Sequence, residues 1–171
     1  MASLEERVAA LEEQVTALAA RLEGSSPETG EAAARTKDVF WALEGLKARV
    51  NDPAGAVLYT GAVEATPGER AEWQFGVMTA DLMAEDWSEA AGALSALAHP
   101  VRLQLLREVL AGHHGSAELS EVEGLGTSGQ LYHHLRQLVS AGWLRTNKRG
   151  QYIVPAERIV PLLVTITAAT R

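Results

Sequence analysis

Between Thr127 and Arg149 lie the side chains best suited to chemistry on a partner molecule. Thr127, Ser128, Gly129, Gln130, Tyr132, His133 and Arg136 come first, and Lys148 and Arg149 follow after an apolar stretch. Glutamine can hold an adenine edge by two hydrogen bonds, and arginine can hold guanine or grip phosphate. Tyr132 can donate to phosphate. Thr127 stands where a helix start offers amides and a favourable dipole to an anion. Gly129 lets another backbone come close. Lys148 and Arg149 suit phosphate or a minor groove. The set predicts contact with double-stranded DNA rather than the making or breaking of bonds. The plainer alternative is the solvated face of a structural helix; the basic hairpin that follows favours DNA.

Other constellations fail on geometry or context. His133 and His134 are neighbours, and adjacent helical residues point about 100° apart, so they do not readily share one ion. His113 and His114 lie in a Gly-flanked loop and are expected to be exposed, and His99 marks a helix junction. Gly124-x-Gly126-x-x-Gly129 has the spacing of a dinucleotide loop, but it follows a helix where that motif needs a strand. No serine or aspartate sits in a hydrolase context such as Gly-x-Ser-x-Gly. The chain has no cysteine, which removes disulfides, thiolate metal sites and cysteine nucleophiles together. The expectation is a protein that is not an enzyme and uses no metal or cofactor. Trp41, Tyr59, Trp73, Phe75 and Trp87 concentrate aromatic area in the middle of the chain. Such clusters are usually core; the alternative is a pocket for an effector.

The elements that must hold the candidate residues follow from apolar spacing. Ser116 can cap a short helix running through Leu119 and Val122, and Gly124 and Gly126 break the pattern. Thr127-Ser128-Gly129-Gln130 fits the capping box, in which two side chains satisfy free amides at a helix start. Leu131, Leu135 and Leu138 then give the helix over 127–141 one apolar face. Gly142 ends it, as a left-handed C-terminal glycine does. Two strands, Trp143–Thr146 and Gln151–Val154, are joined by Asn147-Lys148-Arg149-Gly150 and make a basic hairpin over 143–154. Helix, tight turn, helix and basic hairpin outline a winged helix-turn-helix, which places its second helix in the major groove.

Upstream, Leu4, Val8, Leu11, Val15, Leu18 and Leu22 alternate at spacings of four and three. With Val8, Val15 and Leu22 at a and the other leucines at d, they predict a parallel two-stranded coiled coil, with Arg7 at g and Glu12 at e as an attractive pair. An amphipathic helix packed on its own chain is the alternative. GSSPETG, residues 24–30, reads as a linker. Residues 31–50 predict a helix striped by Phe40, Leu43, Leu46 and Val50, closed by Asn51-Asp52-Pro53. A hairpin follows, Ala56–Val63 and Ala71–Thr79. With Pro67-Gly68 at the centre of its turn, Ala62 would face Trp73, Thr60 would face Phe75 and Leu58 would face Val77. An isolated hairpin is marginal in water and must pack on a helix or pair with another hairpin. Asp81–Ala98 predicts one helix, and Pro100 starts another that stops at Gly112. Glu157–Thr170 predicts the last, with Ile159, Leu162, Leu163, Val164 and Ile166 around much of its circumference. Such a helix needs cover on both sides, most simply from a partner subunit. The expected fold is mainly α with small β: a coiled-coil helix (1–23), a linker (24–30), a helix plus hairpin for dimerisation or sensing (31–80), and a winged helix-turn-helix (81–171).

Of 171 residues, 47 % are hydrophobic, enough for a packed core. The net charge of −7 conceals a division. Residues 1–87 hold 7 basic and 16 acidic residues, and residues 88–171 hold 8 and 6. From Leu125 onward there are 6 basic residues and one acid, Glu157. Attraction to phosphate follows the local field, so a basic end with an acidic body suits DNA. No basic region precedes an N-terminal apolar run, so no signal peptide is expected. Ile159–Ala169 is too short to span a bilayer. The expectation is a cytoplasmic protein with no membrane partner.

ALSALAHPVRLQLLREVL resembles the opening of ArsR-like winged helix-turn-helix regulators, where a helix ends at Leu-x-His/Asp-Pro-x-Arg before an apolar helix. TSGQLYHHLRQLVSAGWL resembles their recognition helix, with its His-Leu pair and closing Ala-Gly turn. The likeness covers about residues 88–168. The whole chain also resembles actinobacterial-type winged-helix proteins with a Trp-rich helix and a hairpin ahead of the DNA-binding part. The resemblance implies a transcription regulator and puts His134 on the supporting side of the helix, hydrogen-bonded within the domain. Many members sense metals through Cys or through Asp/His/Glu clusters on the last helix; here that helix offers only Glu157, and no His. The resulting expectation is a homodimeric, sequence-specific DNA-binding regulator. The heptad residues, with Ile159, Leu162, Leu163 and Ile166, would make the dimer. The alternative is a protein-interaction scaffold in which the winged helix serves assembly and the acidic coiled coil and hairpin dock a protein partner.

Overall fold

The computed structural model describes residues 8, 10, 12–16, 39–66, 68–125 and 127–171. Two compact units divide the chain, Met1–Asn51 and Asp52–Arg171. In the first, residues 12–16 are helical and α1 spans Trp41–Lys47. Lys47 Nζ lies 2.9 Å from Glu44 Oε1, one turn back. Leu4, Leu11, Leu18 and Leu22, the linker 24–30 and positions 31–38 of the expected second helix lie outside the described residues.

The second unit opens with an antiparallel hairpin, β1 (Ala56–Thr66) and β2 (Glu69–Met78). Its register differs from the expected one by a residue. Thr66 pairs with Glu69, as a two-residue turn requires, but β1 carries one extra residue between Glu64 and Thr66. A bulge of this kind shifts every later pair. Gly61, not Ala62, faces Trp73; Tyr59, not Thr60, faces Phe75; Val57, not Leu58, faces Val77. Because a slip of one exchanges the faces of a strand, Val57, Tyr59, Trp73, Phe75 and Val77 share one face. The Tyr59 and Phe75 rings are 5.7 Å apart. Both strands pack on the last helix, so the hairpin belongs with the C-terminal elements rather than with the helix before it.

The single helix expected over Asp81–Ala98 is broken into α2 (Thr79–Ala84), a 3-10 turn (Trp87–Ala90) and α3 (Ala91–Leu97). The Asp86 carboxylate accepts from the Ser88 amide at 2.9 Å, and the Trp87 indole N–H donates to the Leu82 carbonyl at 2.8 Å. Aspartate competes for nearby amides, which favours a cap over a helix interior. α4 (Pro100–Leu110) begins with proline at its first position, and its cap is His99, whose Nδ1 accepts from the Val101 amide at 3.2 Å. α5 (Ser116–Ser120) is capped from Gly115, not Ser116: Glu118 Oε2 accepts the Gly115 amide at 2.9 Å.

α6 (Ser128–Ser140), β3 (Arg145–Thr146), β4 (Tyr152–Ile153) and α7 (Ala156–Thr170) complete the unit. β3 and β4 are shorter than expected: only Arg145 with Ile153 and Thr146 with Tyr152 pair, and Trp143, Leu144 and Val154 lie buried in the core outside the ladder. That core joins Leu105 and Val109 of α4, Leu119 of α5, the leucines of α6 and Leu162 of α7. The described residues are therefore mainly helical, with two small antiparallel hairpins. No described helix is long and apolar enough to cross a membrane.

Candidate functional site

Helix α6 is fixed from both ends and from beneath. Leu131, Leu135 and Leu138 are exposed by only 2 %, 0 % and 0 %. At the start, Gln130 Oε1 accepts the Thr127 amide at 2.9 Å, one arm of the expected capping box. At the end, Gly142 adopts φ +73°. Its amide donates to the Val139 carbonyl at 3.1 Å, and the Trp143 amide donates to the Leu138 carbonyl at 2.9 Å. These two bonds satisfy carbonyls that a helix end leaves open.

With the leucines inward, Thr127, Ser128, Gly129, Gln130, Tyr132, His133 and Arg136 are all exposed. A Cβ on Gly129 would find nothing within 4 Å. The chain itself does not need glycine there, although glycine costs a helix about 1 kcal/mol. The Tyr132 hydroxyl lies 3.3 Å from Ser116 Oγ and ties α6 to α5. Gln137 is a further exposed polar residue on the helix; its place four residues after His133 was the available signal.

The turn between β3 and β4 is organised by Asn147. Its Oδ1 accepts from the amides of Arg149 (2.9 Å) and Gln151 (3.1 Å). Asn147 and Gln151 also bond through their main chains at 2.9 Å, and Gly150 turns with φ +72°. Lys148 and Arg149 are thereby exposed at the tip. Arg145 on β3 is exposed as well and joins the candidate set. Arg158 differs: its guanidinium carbon lies 5.2 Å over the Trp143 ring.

The histidines depart from expectation in two places. His134 is half-buried, with its ring 4.6 Å from His99 and 5.6 Å from His133. Its Nδ1 is buried without a hydrogen-bond partner, so the expected bond within the domain is not formed. Burial pushes its pKa below the ordinary 6.5, and the positive charge of His99, His133 and Arg102 pushes it further. His114 is not simply exposed: its Nδ1 lies 3.0 Å from the Tyr152 carbonyl, and the Tyr152 amide donates to the His114 carbonyl at 2.9 Å. This pair fastens the loop before α5 to β4. His113 is exposed, 3.0 Å from Glu108 Oε2. Arg107 and then His113 hold the Glu108 carboxyl below its usual range. Among the described residues, no group of three or more His, Cys, Asp or Glu could hold a metal ion.

The candidate dimer residues are scattered. Val8 and Val15 are exposed. Leu162 is 2 % exposed and Ile159 packs against the same core, so both serve their own chain. Val160 meets the hairpin, which gives α7 the second cover expected from a partner subunit. Leu163 and Ile166 line an open apolar groove of about 610 Å³ with Pro100, Leu103 and Leu110. Of the aromatic residues expected in the core, Trp41 is 67 % exposed and Trp87 60 %, whereas Trp73 and Phe75 are less than half exposed and Tyr59 is half-buried.

Compared with protein-family models, curated proteins and solved structures, the chain matches none.

Proposed function

We propose that the chain is a homodimeric, sequence-specific DNA-binding transcription regulator built on a winged helix-turn-helix like that of the ArsR-like regulators. One observation carries the reading. On α6 three leucines are sealed in the core while every polar residue from Ser128 to Arg136 except His134 stands in water, ahead of a turn presenting Lys148 and Arg149. In this reading the first two turns of α6 enter a major groove. Arg136 reads guanine or holds phosphate. Gln130 keeps its amide NH2 for a base edge or a phosphate, since its Oε1 already accepts from the Thr127 amide at 2.9 Å and the Thr127 hydroxyl at 3.3 Å. Lys148, Arg149 and Arg145 hold flanking phosphates. Dimerisation through the heptads supplies the second half-site.

Fluorescence anisotropy of labelled genomic duplexes at rising salt tests this. Affinity should fall steeply with salt, and Lys148→Ala should lower the log–log slope by about one. Binding that is absent, or insensitive to salt, contradicts the reading.

A protein-interaction scaffold is the second reading, favoured by the exposure of Trp73 and Phe75 on the hairpin face. Protein partners retained by both Arg136→Ala and Lys148→Ala, together with no duplex binding, would select it.

A further inference from the structure

The segment joining the hairpin to α4 carries an open groove of about 560 Å³. Leu82, Trp87 and Leu94 line it as apolar surface, and Glu85, Asp86 and Glu89 supply its carboxylates. Trp87 is 60 % exposed and Leu94 55 %. The indole is not free to turn away, because its N–H is bonded to the Leu82 carbonyl at 2.8 Å. Charge singles out the occupant. Three of the lining residues are acidic and none is Lys or Arg; Arg102 is bonded instead to the Ser95 carbonyl at 2.9 Å. Asp86 stays ionised well into acid, since the Ser88 amide and hydroxyl hold its carboxyl below the usual range. The groove thus lacks a positive charge and an apolar body at once, and its volume falls in the range of small-molecule sites, roughly 300–1,000 Å³.

We propose that this groove binds a lipophilic organic cation. Its charge lies against the Trp87 ring, where the quadrupole attracts cations, within reach of Glu85 and Glu89, and its apolar body covers Leu82 and Leu94. The site also touches the rest of the fold. The Trp143 indole N–H donates to the Ala93 carbonyl at 2.9 Å, beside Leu94, and Trp143 follows the glycine that ends α6. If the DNA-binding reading holds, occupancy at Leu94 bears on the recognition helix.

The test titrates the full chain with tetraphenylphosphonium and with tetraphenylborate, which share a shape and differ in the sign of charge. Tryptophan fluorescence and calorimetry follow binding. Saturable binding of the cation alone is expected, weakened about tenfold both by Trp87→Ala and by the pair Glu85→Gln and Glu89→Gln. The exposed glutamates serve as the second probe because their replacement leaves the indole bond intact, and circular dichroism checks the fold. Equal binding of both ions, no saturable binding of the cation, or cation binding unchanged in both variants overturns the proposal. A basic amphipathic peptide that binds at Trp87 while the cation does not also overturns it, in favour of a protein partner. The titration contains no DNA, so failure of the DNA-binding reading leaves its outcome unaltered.

Discussion

Gly61 of the long hairpin lies so close to Val160 of the last helix that a Cβ at position 61 would meet Val160 Cγ1 at 2.7 Å and Cγ2 at 3.1 Å. Glycine is required for space, and the bulge beyond Glu64 decides that Gly61, rather than Ala62, faces Trp73 on this side. Gly61→Val should therefore destabilise the chain by about 1–3 kcal/mol, as overpacking does. Adding Val160→Ala should recover part of the loss, since contacting sites are not additive. Urea unfolding of the two single variants and the double variant measures the coupling.

The core beneath α6 makes the opposite kind of prediction. Leu135 is completely buried, so Leu135→Ala should cost about 2–5 kcal/mol through lost burial and a cavity. Exposed Arg136 next to it should change stability by no more than about 0.5 kcal/mol when replaced by Ala. Thermal or urea unfolding separates the two.

This contrast marks what the sequence made legible. Leu131, Leu135 and Leu138 repeat at the helical period, so the buried and exposed faces of α6 could both be read. Pro100 and Gly142 likewise announce a helix start and stop by their own backbone chemistry. The hairpin register was not legible, because nothing in Glu64-Ala65-Thr66 announces an extra residue and one residue exchanges the faces. The break at Glu85-Asp86 holds neither Gly nor Pro; it depends on side-chain bonds to Ser88 and Leu82. Trp143 and Leu144 read as strand, but they lie buried in the core outside the two-pair ladder, a tertiary placement that no local pattern reports. His114 depends on Tyr152, 38 residues away, which no local pattern reports.

Gly129 separates fold from contact. Nothing lies within 4 Å of its missing Cβ, so Gly129→Ala should raise stability by up to about 1 kcal/mol through helix propensity. The same change should weaken duplex binding if a DNA backbone approaches the helix there. Melting and anisotropy of one variant give both answers.

The pH dependence follows from His134. Its pKa is depressed by burial and then by His99, His133 and Arg102, so the folded chain favours the neutral ring. This contribution is whole above the ordinary value of 6.5 and is lost as pH falls through the lower folded value. Unfolding free energy should decline below pH 6.5, and His134→Gln should flatten that decline. Urea titrations between about pH 7 and pH 5 measure it.

Sequence-specific recognition by the outer face of α6 would be visible in the genomic fragments retained by the purified chain and by the Arg136→Ala variant, once both pools are sequenced. One enriched pseudo-palindrome is expected, with half-sites about one helical turn apart, relaxed at a single position in each half when Arg136 is replaced. No sequence enriched above the input, or an enrichment that Arg136→Ala leaves unchanged, contradicts it.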